Sequence, residues 1–525
     1  MKKQFRQPIA SRREVLVGGC LIGAGLTVPS AILAQSGPTL AETTNGRVRG
    51  FRAGGVIHFR GIPYGGDTGG NNRFMPPTPV ARWSGVRVAT EWGHVSPQPP
   101  DANKNPYGLM TGWSNFRGGM GEDCLNVNVW TPALDAKKRA VMVMLHGGGF
   151  TSGSGNLVAL EGQYMARAGD VVVVNVNHRL GSLGYADLSA FGGPDLAKSG
   201  NVGMLDIVQA LEWVRNNIEN FGGDPKRVAL SGQSGGGGKV STLFAMPSAA
   251  GLFHRAVVQS GSTLRVATAD IAQGAVQQML DKLGIAKGDL AKLRSLPFEQ
   301  IIAAQVRPGP VVDGVVLPRQ PFDPDAPAIS ADVPMVIGTC LEDWSFAMPD
   351  QREGADSLRE YVEQQAPGHG AEVLQTYQRR YPDKRPYLIK AIVATDIAAR
   401  RNASTQALRK AAQDGARAYV YRWDWPIPGG EGHWGAVHGS DLSLSMSNPT
   451  TAMTLNTPQA QVMSRKIGQA IIAFTKSGNP NCGVVPNWPP YEAKRRSVMV
   501  FDTNTRVVQD PERDIRLMWD RIKPA

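Results

Sequence analysis

Arg227-Val228-Ala229-Leu230-Ser231-Gly232-Gln233-Ser234-Gly235-Gly236-Gly237-Gly238-Lys239 is the stretch on which the reading of this chain turns. A short apolar run stops at a serine boxed in by glycines. It predicts a strand, a sharp turn and the first turn of a helix, with the Ser234 hydroxyl exposed at the corner. Glycine at 232 and 236 leaves no side chain to clash where strand and helix nearly touch. In a chain with 61 glycines, Gly-x-Ser-x-Gly also arises by accident, so the flanking sequence must decide its meaning.

Upstream, Ala140 to Leu145 is nearly continuous apolar sequence, which predicts a strand covered on both faces. It runs into His146-Gly147-Gly148-Gly149-Phe150. A crossover helix fits residues 157–168, and Val171 to Asn175 is the next buried strand. Asn201 to Asn220 carries a helical apolar face through Val202, Leu205, Val208, Leu211, Val214 and Ile218. Downstream, Ala256–Gln259, Met335–Thr339, Ala418–Trp423 and Val498–Phe501 read as further strands. Ala460–Lys476 reads as a helix starting after Pro458, and Asp510–Arg521 as a terminal one. Near the start, Asn45 to Tyr64 turns on glycine as an antiparallel ribbon does. This alternation of strands and helices predicts an α/β fold around a largely parallel sheet. Residues of about 263–332 and 345–412 are more polar, helix-rich inserts past strand ends, where a cap around a cleft would be built.

A serine hydroxyl is nearly inert at neutral pH unless a histidine takes its proton and an acid orients that histidine. After a strand-to-helix nucleophile turn, both partners follow in chain order. His58, His94, His146 and His178 precede Ser234; His254 lies just before the next core strand, and His369 in a polar insert. His433 and His438 remain, and His438 is favoured because its small-residue loop follows the Ala418–Trp423 strand. The acid should follow the Met335–Thr339 strand, where Glu342 and Asp343 are both candidates. For the oxyanion, the glycine run after Leu145 can present backbone N–H groups at Gly148 and Gly149, with a third donor at Gly235. In these glycine runs Gly-x-Gly-x-x-Gly spacing is absent, as is a lysine followed directly by serine or threonine, which argues against their binding a nucleotide.

With 525 residues, 42% hydrophobic and 19% charged, the chain can bury a large core, and it shows no repeat or low-complexity tract. Lys2, Lys3, Arg6, Arg12 and Arg13 precede an apolar run from Val15 to Leu33. Ser11-Arg12-Arg13-Glu14-Val15-Leu16 looks like a twin-arginine export signal, so residues 1–34 are expected to be a removed signal peptide. That predicts a periplasmic or secreted bacterial protein with no integral membrane span in the mature chain. Removal would take away five basic residues and one acidic one, lowering the net charge from +12 to about +8. The remaining excess is spread along the chain with no zinc-finger spacing or basic-aromatic stripe, so nucleic acid is not an expected partner. Basic residues lining the pocket and selecting carboxylate-bearing esters are a weaker expectation from the same charge. Cys124, Cys340 and Cys482 would remain, an odd count that does not suit a disulfide scaffold.

Several segments together resemble the type-B carboxylesterase family, which includes the cholinesterases, within the α/β-hydrolase superfamily. They are Phe59-Arg60-Gly61-Ile62-Pro63-Tyr64, Glu122-Asp123-Cys124-Leu125-Asn126-Val127, Asn177-His178-Arg179-Leu180-Gly181, Gly200-Asn201-Val202-Gly203-Met204-Leu205-Asp206 and Asn220-Phe221-Gly222-Gly223-Asp224-Pro225. The resemblance implies a single α/β-hydrolase domain over 35–525 and ester hydrolysis through an acyl-enzyme. It implies Ser234 as nucleophile, His438 as base then acid, and Asp343 rather than Glu342 as the orienting acid. It also implies Gly148, Gly149 and Gly235 as oxyanion donors and Ser260 behind the acid. The implied substrate is a small-molecule ester, acted on by a monomer or small homo-oligomer with no metal or organic cofactor. Amidase, lactonase or lipase chemistry on the same machinery is the alternative, and a non-catalytic binding role a more distant one. The chain departs from the family in five places, one of them His178, which replaces a frequent tyrosine. Asp343 is one methylene shorter than the usual glutamate, Trp344 replaces a glycine, and Gln233 replaces a glutamate. Ser96 stands where the family has the cysteine bonded to the counterpart of Cys124.

Overall fold

In the computed structural model the described residues are 39–100, 106–112, 117–306, 308–348, 350 and 352–523. The expected signal peptide, residues 1–34, lies outside them. The main sheet has eleven strands: β1 Phe51–Ala53, β2 Val56–Pro63, β3 Asn126–Thr131, β4 Arg139–Leu145, β5 Val172–Val176, β6 Gly223–Gln233, β7 Arg255–Gln259, β8 Met335–Cys340, β9 Ala418–Trp423, β10 Ser497–Phe501 and β11 Arg506–Gln509. Their spatial order is β11-β10-β9-β8-β7-β6-β4-β5-β3-β2-β1. From β10 to β5 all neighbours run parallel, and the pairs beyond them are antiparallel. The apolar run expected from Ala140 to Leu145 is fully buried. Its alternate residues enter different cores: Val141, Val143 and Leu145 pack on one face, Ala140, Met142 and Met144 on the other. A strand must be apolar at every position only when both of its faces are covered.

The register sets the site. Leu145 pairs with Gly232, Gln233 with Gln259, and Gln259 with Gly338. The carboxyl ends of β4, β6, β7 and β8 therefore lie side by side, and the loops that leave them share one edge. Open α/β sheets place their ligands at this edge.

Three helices matter below: α1 Val202–Asn217, α2 Gly235–Leu243 and α3 Pro458–Ser477. The last corrects the sequence reading, which began this helix at Ala460. Pro458 is its first residue, where the missing N–H costs nothing, and the Thr457 side chain accepts a bond from the Ala460 N–H at 3.1 Å. Strand β11 was not expected either; none of its four residues is fully buried, so its pattern is weak. Both inserts are helical. The first contains Ala269–Leu283, Leu290–Ser295 and Phe298–Ala304, which build a satellite core with Phe74 and Leu183. The second runs from Ala355 to Ala411 as successive helices.

Cys124, Cys340 and Cys482 are free thiols. The loop that the family ties with a disulfide is held here by Gln98, whose side-chain amide donates to the Ser96 and Gly153 carbonyls and accepts from the Gly153 N–H. Ser96 itself accepts from the Leu180 N–H at 3.0 Å. Among the described residues, no helix is long and apolar enough to cross a membrane.

Candidate functional site

Ser234 lies between β6 and α2 with φ 59 and ψ −127, a backbone strain that persists only where surrounding contacts impose it. Here they are backbone contacts. The Ser234 N–H donates to the Gln259 carbonyl at 2.7 Å. A Cβ at Gly232 would lie 2.3 Å from the Gly236 backbone, and one at Gly261 would lie 2.2 Å from the Ser234 carbonyl oxygen. Both positions therefore exclude side chains.

The glycine loop after β4 closes over α2 just as tightly. Gly148 and Gly149 have φ +89 and +62, and a Cβ at Gly235 would lie 2.1 Å from the Gly149 carbonyl oxygen. The Gly235 N–H, in the first turn of α2, has no intrahelical acceptor. The amides of Gly148 and Gly149 make no hydrogen bond among the described residues.

Across the cleft, His438 Nδ1 is 2.5 Å from Asp343 Oδ1. Asp343 is buried, and its other oxygen accepts from the Cys340 N–H at 3.1 Å. The backbone fixes the pair too: the His438 N–H donates to the Asp343 carbonyl, and the His438 carbonyl accepts from the Tyr107 hydroxyl at 2.7 Å. Glu342, the other sequence candidate, points elsewhere. It is fully buried, accepts from the Ala436 N–H at 2.8 Å and pairs with Lys384. It pins the loop that carries His438 and does not touch the imidazole. His433, the other histidine candidate, is turned to the Gly430 carbonyl and away from the cleft.

Ser234, Gly235, Ser260, Asp343 and His438 line one open cleft of about 300 Å³, whose walls include Phe150, Trp344, Phe346, Ala398 and Ala399. The Phe346 ring lies beside His438, tilted by 34°, with ring centroids 5.2 Å apart. Asp343 and His438 are the ionisable side chains of its lining, so the expected basic, carboxylate-selecting pocket is not what these residues form. Ser260, at φ 47, bonds its N–H to the Gly338 carbonyl and so sits between the ends of β7 and β8.

His438 Nε2 lies 3.0 Å from the Gln233 amide nitrogen, and Ser234 Oγ makes no hydrogen bond among the described residues. The final link of a serine–histidine relay is thus open in this arrangement; such links commonly tighten only with substrate bound. A neutral imidazole with Nδ1–H toward Asp343 has an acceptor at Nε2, which suits an amide donor. Turned over, the same amide would present an oxygen to Nε2–H. Gln233 Oε1 has no partner, so Gln233 is placed to serve either protonation state.

Sequence reasoning missed two groups and left a third, His178, without a role. Asp441 is fully buried behind Cys340, accepting from Tyr421 and Gln259, and burial raises its pKa. Lys239 is fully buried and reaches the glycine loop. Its signal was a lone charge in the small and apolar run of α2. His178, an unexplained departure from the family, lies parallel to His146 with centroids 4.8 Å apart.

Three comparisons bear on this geometry. Residues 37–517 match the model of the carboxylesterase family. Para-nitrobenzyl esterase of Bacillus subtilis is 33% identical over 91% of this chain and 97% of its own, and phenmedipham hydrolase of Pseudarthrobacter oxydans is 31% identical over 90% and 97%. Among solved structures, a carboxylesterase of Geobacillus stearothermophilus superposes with TM-score 0.80 at 33% identity, covering 92% of this chain and 100% of that one. A Clostridium hathewayi esterase described as hydrolysing aliphatic aromatic polyesters superposes with TM-score 0.79 at 32% identity, covering 92% and 98%.

Proposed function

The chain belongs to the carboxylesterase family of α/β-hydrolases and is a carboxylic ester hydrolase, and we propose that Ser234, His438 and Asp343 carry its acyl transfer. The observation that carries this assignment is the 2.5 Å contact between His438 Nδ1 and buried Asp343, in a cleft that Ser234 also lines. Asp343 fixes the tautomer that leaves Nε2 free to act as base. Displacement of Gln233 and rotation of the His438 ring bring Nε2 to Ser234 Oγ. The hydroxyl attacks the ester carbonyl as its proton passes to Nε2. The negative charge gathers on the carbonyl oxygen, opposite the amides of Gly148, Gly149 and Gly235. Collapse expels the alcohol, which takes the proton from His438. Water then repeats the sequence on the acyl-enzyme and frees the acid.

Phe150, Trp344 and Phe346 on the walls, with no lysine or arginine among the described lining residues, favour an uncharged ester with an aromatic group. The second insert supplies Ala398 and Ala399 and is read as part of a cap over the cleft. Ser234→Ala should abolish turnover of a short-chain aryl ester while the circular dichroism spectrum is unchanged. Mass spectrometry after a serine-reactive organophosphate should find the adduct on Ser234; retained turnover or an adduct elsewhere would refute the assignment.

The twin-arginine pattern at residues 11–16 supports export to the periplasm with removal of residues 1–34. Replacing Arg12 and Arg13 by lysine should leave activity in the cytoplasmic fraction; unchanged export would defeat that reading. A monomer or small homo-oligomer is expected, measurable by light scattering.

A further inference from the structure

The glycine loop His146–Phe150 must hold its peptides so that amides, not carbonyls, face the oxyanion. A trans peptide is planar, with N–H and C=O pointing in opposite directions, so fixing the oxygen on one side presents the N–H on the other. Each carbonyl from His146 to Gly149 is fixed here. The Gly147 oxygen accepts from His146 Nδ1 at 2.8 Å, which turns the Gly148 N–H away. The Gly148 oxygen accepts from the Ser152 N–H at 3.0 Å, which does the same for Gly149. The remaining two, of His146 and Gly149, share one partner: Lys239 Nζ, at 3.1 and 2.9 Å.

Lys239 lies one helical turn beyond Gly235, on the same face of α2. Its side chain is completely buried and its ammonium sits 5.3 Å from the Phe150 ring centre. No ion pair joins it to a carboxylate among the described residues; its partners are loop carbonyls. A charge buried without a counter-ion is costly. Burial lowers this lysine to about 7, and burial first, with the charge of the lysine second, lowers His146 and His178. Neutrality suits His146, which needs a single Nδ1–H aimed at Gly147 while it stacks on His178.

We propose that Lys239 is a positioning residue for ester hydrolysis: its amino group ties the nucleophile's helix to the His146 and Gly149 carbonyls, the two ends of the segment that carries the Gly148 and Gly149 amides, and so holds that segment in place before substrate arrives. The inference rests on reading Gly148, Gly149 and Gly235 as the oxyanion donors. A role confined to stability would affect folding alone. A positioning role weakens binding of tetrahedral species selectively.

The test compares the full-length protein with Lys239→Met, and with Lys239→Gln, which keeps hydrogen-bond donors but not the charge. The expected result for Lys239→Met is a roughly 10- to 100-fold fall in kcat on an aryl acetate with KM within about threefold. Affinity for an aryl trifluoromethyl ketone, which forms a tetrahedral adduct, should fall in parallel, while a planar aryl amide inhibitor binds unchanged. Lys239→Gln should fall between the two proteins. Full kcat in either folded variant overturns the proposal, as does equal loss of ketone and amide affinity. Failure of both variants to fold also overturns it, by assigning Lys239 to the core. If instead the unmodified protein takes no organophosphate label on Ser234, the reading of the site fails, independently of Lys239.

Discussion

On the nucleophile's side of the cleft, backbone meets backbone. On the acid's side, side chains meet side chains. Added methyl groups at Gly235, Gly236 and Gly261 would each approach a carbonyl oxygen to 2.1 or 2.2 Å. Opposite them, Asp343, Glu342 and Asp441 are buried polar groups, each with a different partner. The first wall tolerates almost no change of residue type. The second is specified by geometry, since any of several carboxylates near the end of β8 could in principle have met the imidazole. Close packing leaves a mark in composition; a hydrogen-bond network leaves only polar residues whose partners are unstated.

The largest expected effect tests the second wall. Asp343→Asn should lower kcat on an aryl ester about 10⁴-fold, because the amide favours the wrong imidazole tautomer. Glu342→Gln should cost about tenfold or less in kcat, with roughly 1–3 kcal/mol of stability from the loosened Lys384 and Ala436 contacts. Steady-state kinetics and urea unfolding on both variants check the pair; a larger kinetic loss from Glu342→Gln would reverse their roles.

Gly235→Ala tests the first wall. Its methyl must displace the Gly149 carbonyl or α2, so kcat should fall about 10²- to 10³-fold with only a modest change in KM. A fully active Gly235→Ala enzyme would mean that backbone contact is not what fixes this side.

A smaller effect concerns the stacked histidines beneath the glycine loop. Burial lowers His146 to about 3, whereas in the unfolded chain it titrates near 6.5. Between those values the unfolded chain binds more protons, so stability is fully present above pH 6.5 and is lost as pH falls toward 3. The contribution lost between pH 6.5 and 4 is on the order of 2–3 kcal/mol. Urea midpoints for His146→Gln should therefore fall less steeply with acidification than those of the unmodified protein; parallel slopes would contradict a buried neutral His146.

The smallest effect lies away from both walls. Thr457→Ala removes the cap of α3 and should cost about 1 kcal/mol in thermal unfolding with kcat unchanged.

Legibility followed the same division. The continuous apolar strands, the 3.6-residue face of α1 and the glycines around Ser234 could be read directly, because each imposes a residue type at a spacing. His438 emerged because so few histidines follow the nucleophile. Glu342 and Asp343 remained alternatives until family resemblance favoured one. They are adjacent, and the turn after β8 sends one to Ala436 and the other to His438. Pro458 misled because proline ends helices and also begins them. Lys239 escaped because a lysine in sequence usually means surface.

Sequence alone determined the order of strands and helices, the serine corner and the set of groups from which a catalytic triad could be drawn. These follow from periodicity and from glycines required by close backbone approach, both local properties of the chain. Tertiary structure decided which carboxylate faces the imidazole, that Gln233 occupies Nε2 in this state, and that a buried ammonium holds the glycine loop. Those outcomes depend on contacts between segments dozens to hundreds of residues apart, whose energies exist only once the sheet has aligned its strand ends.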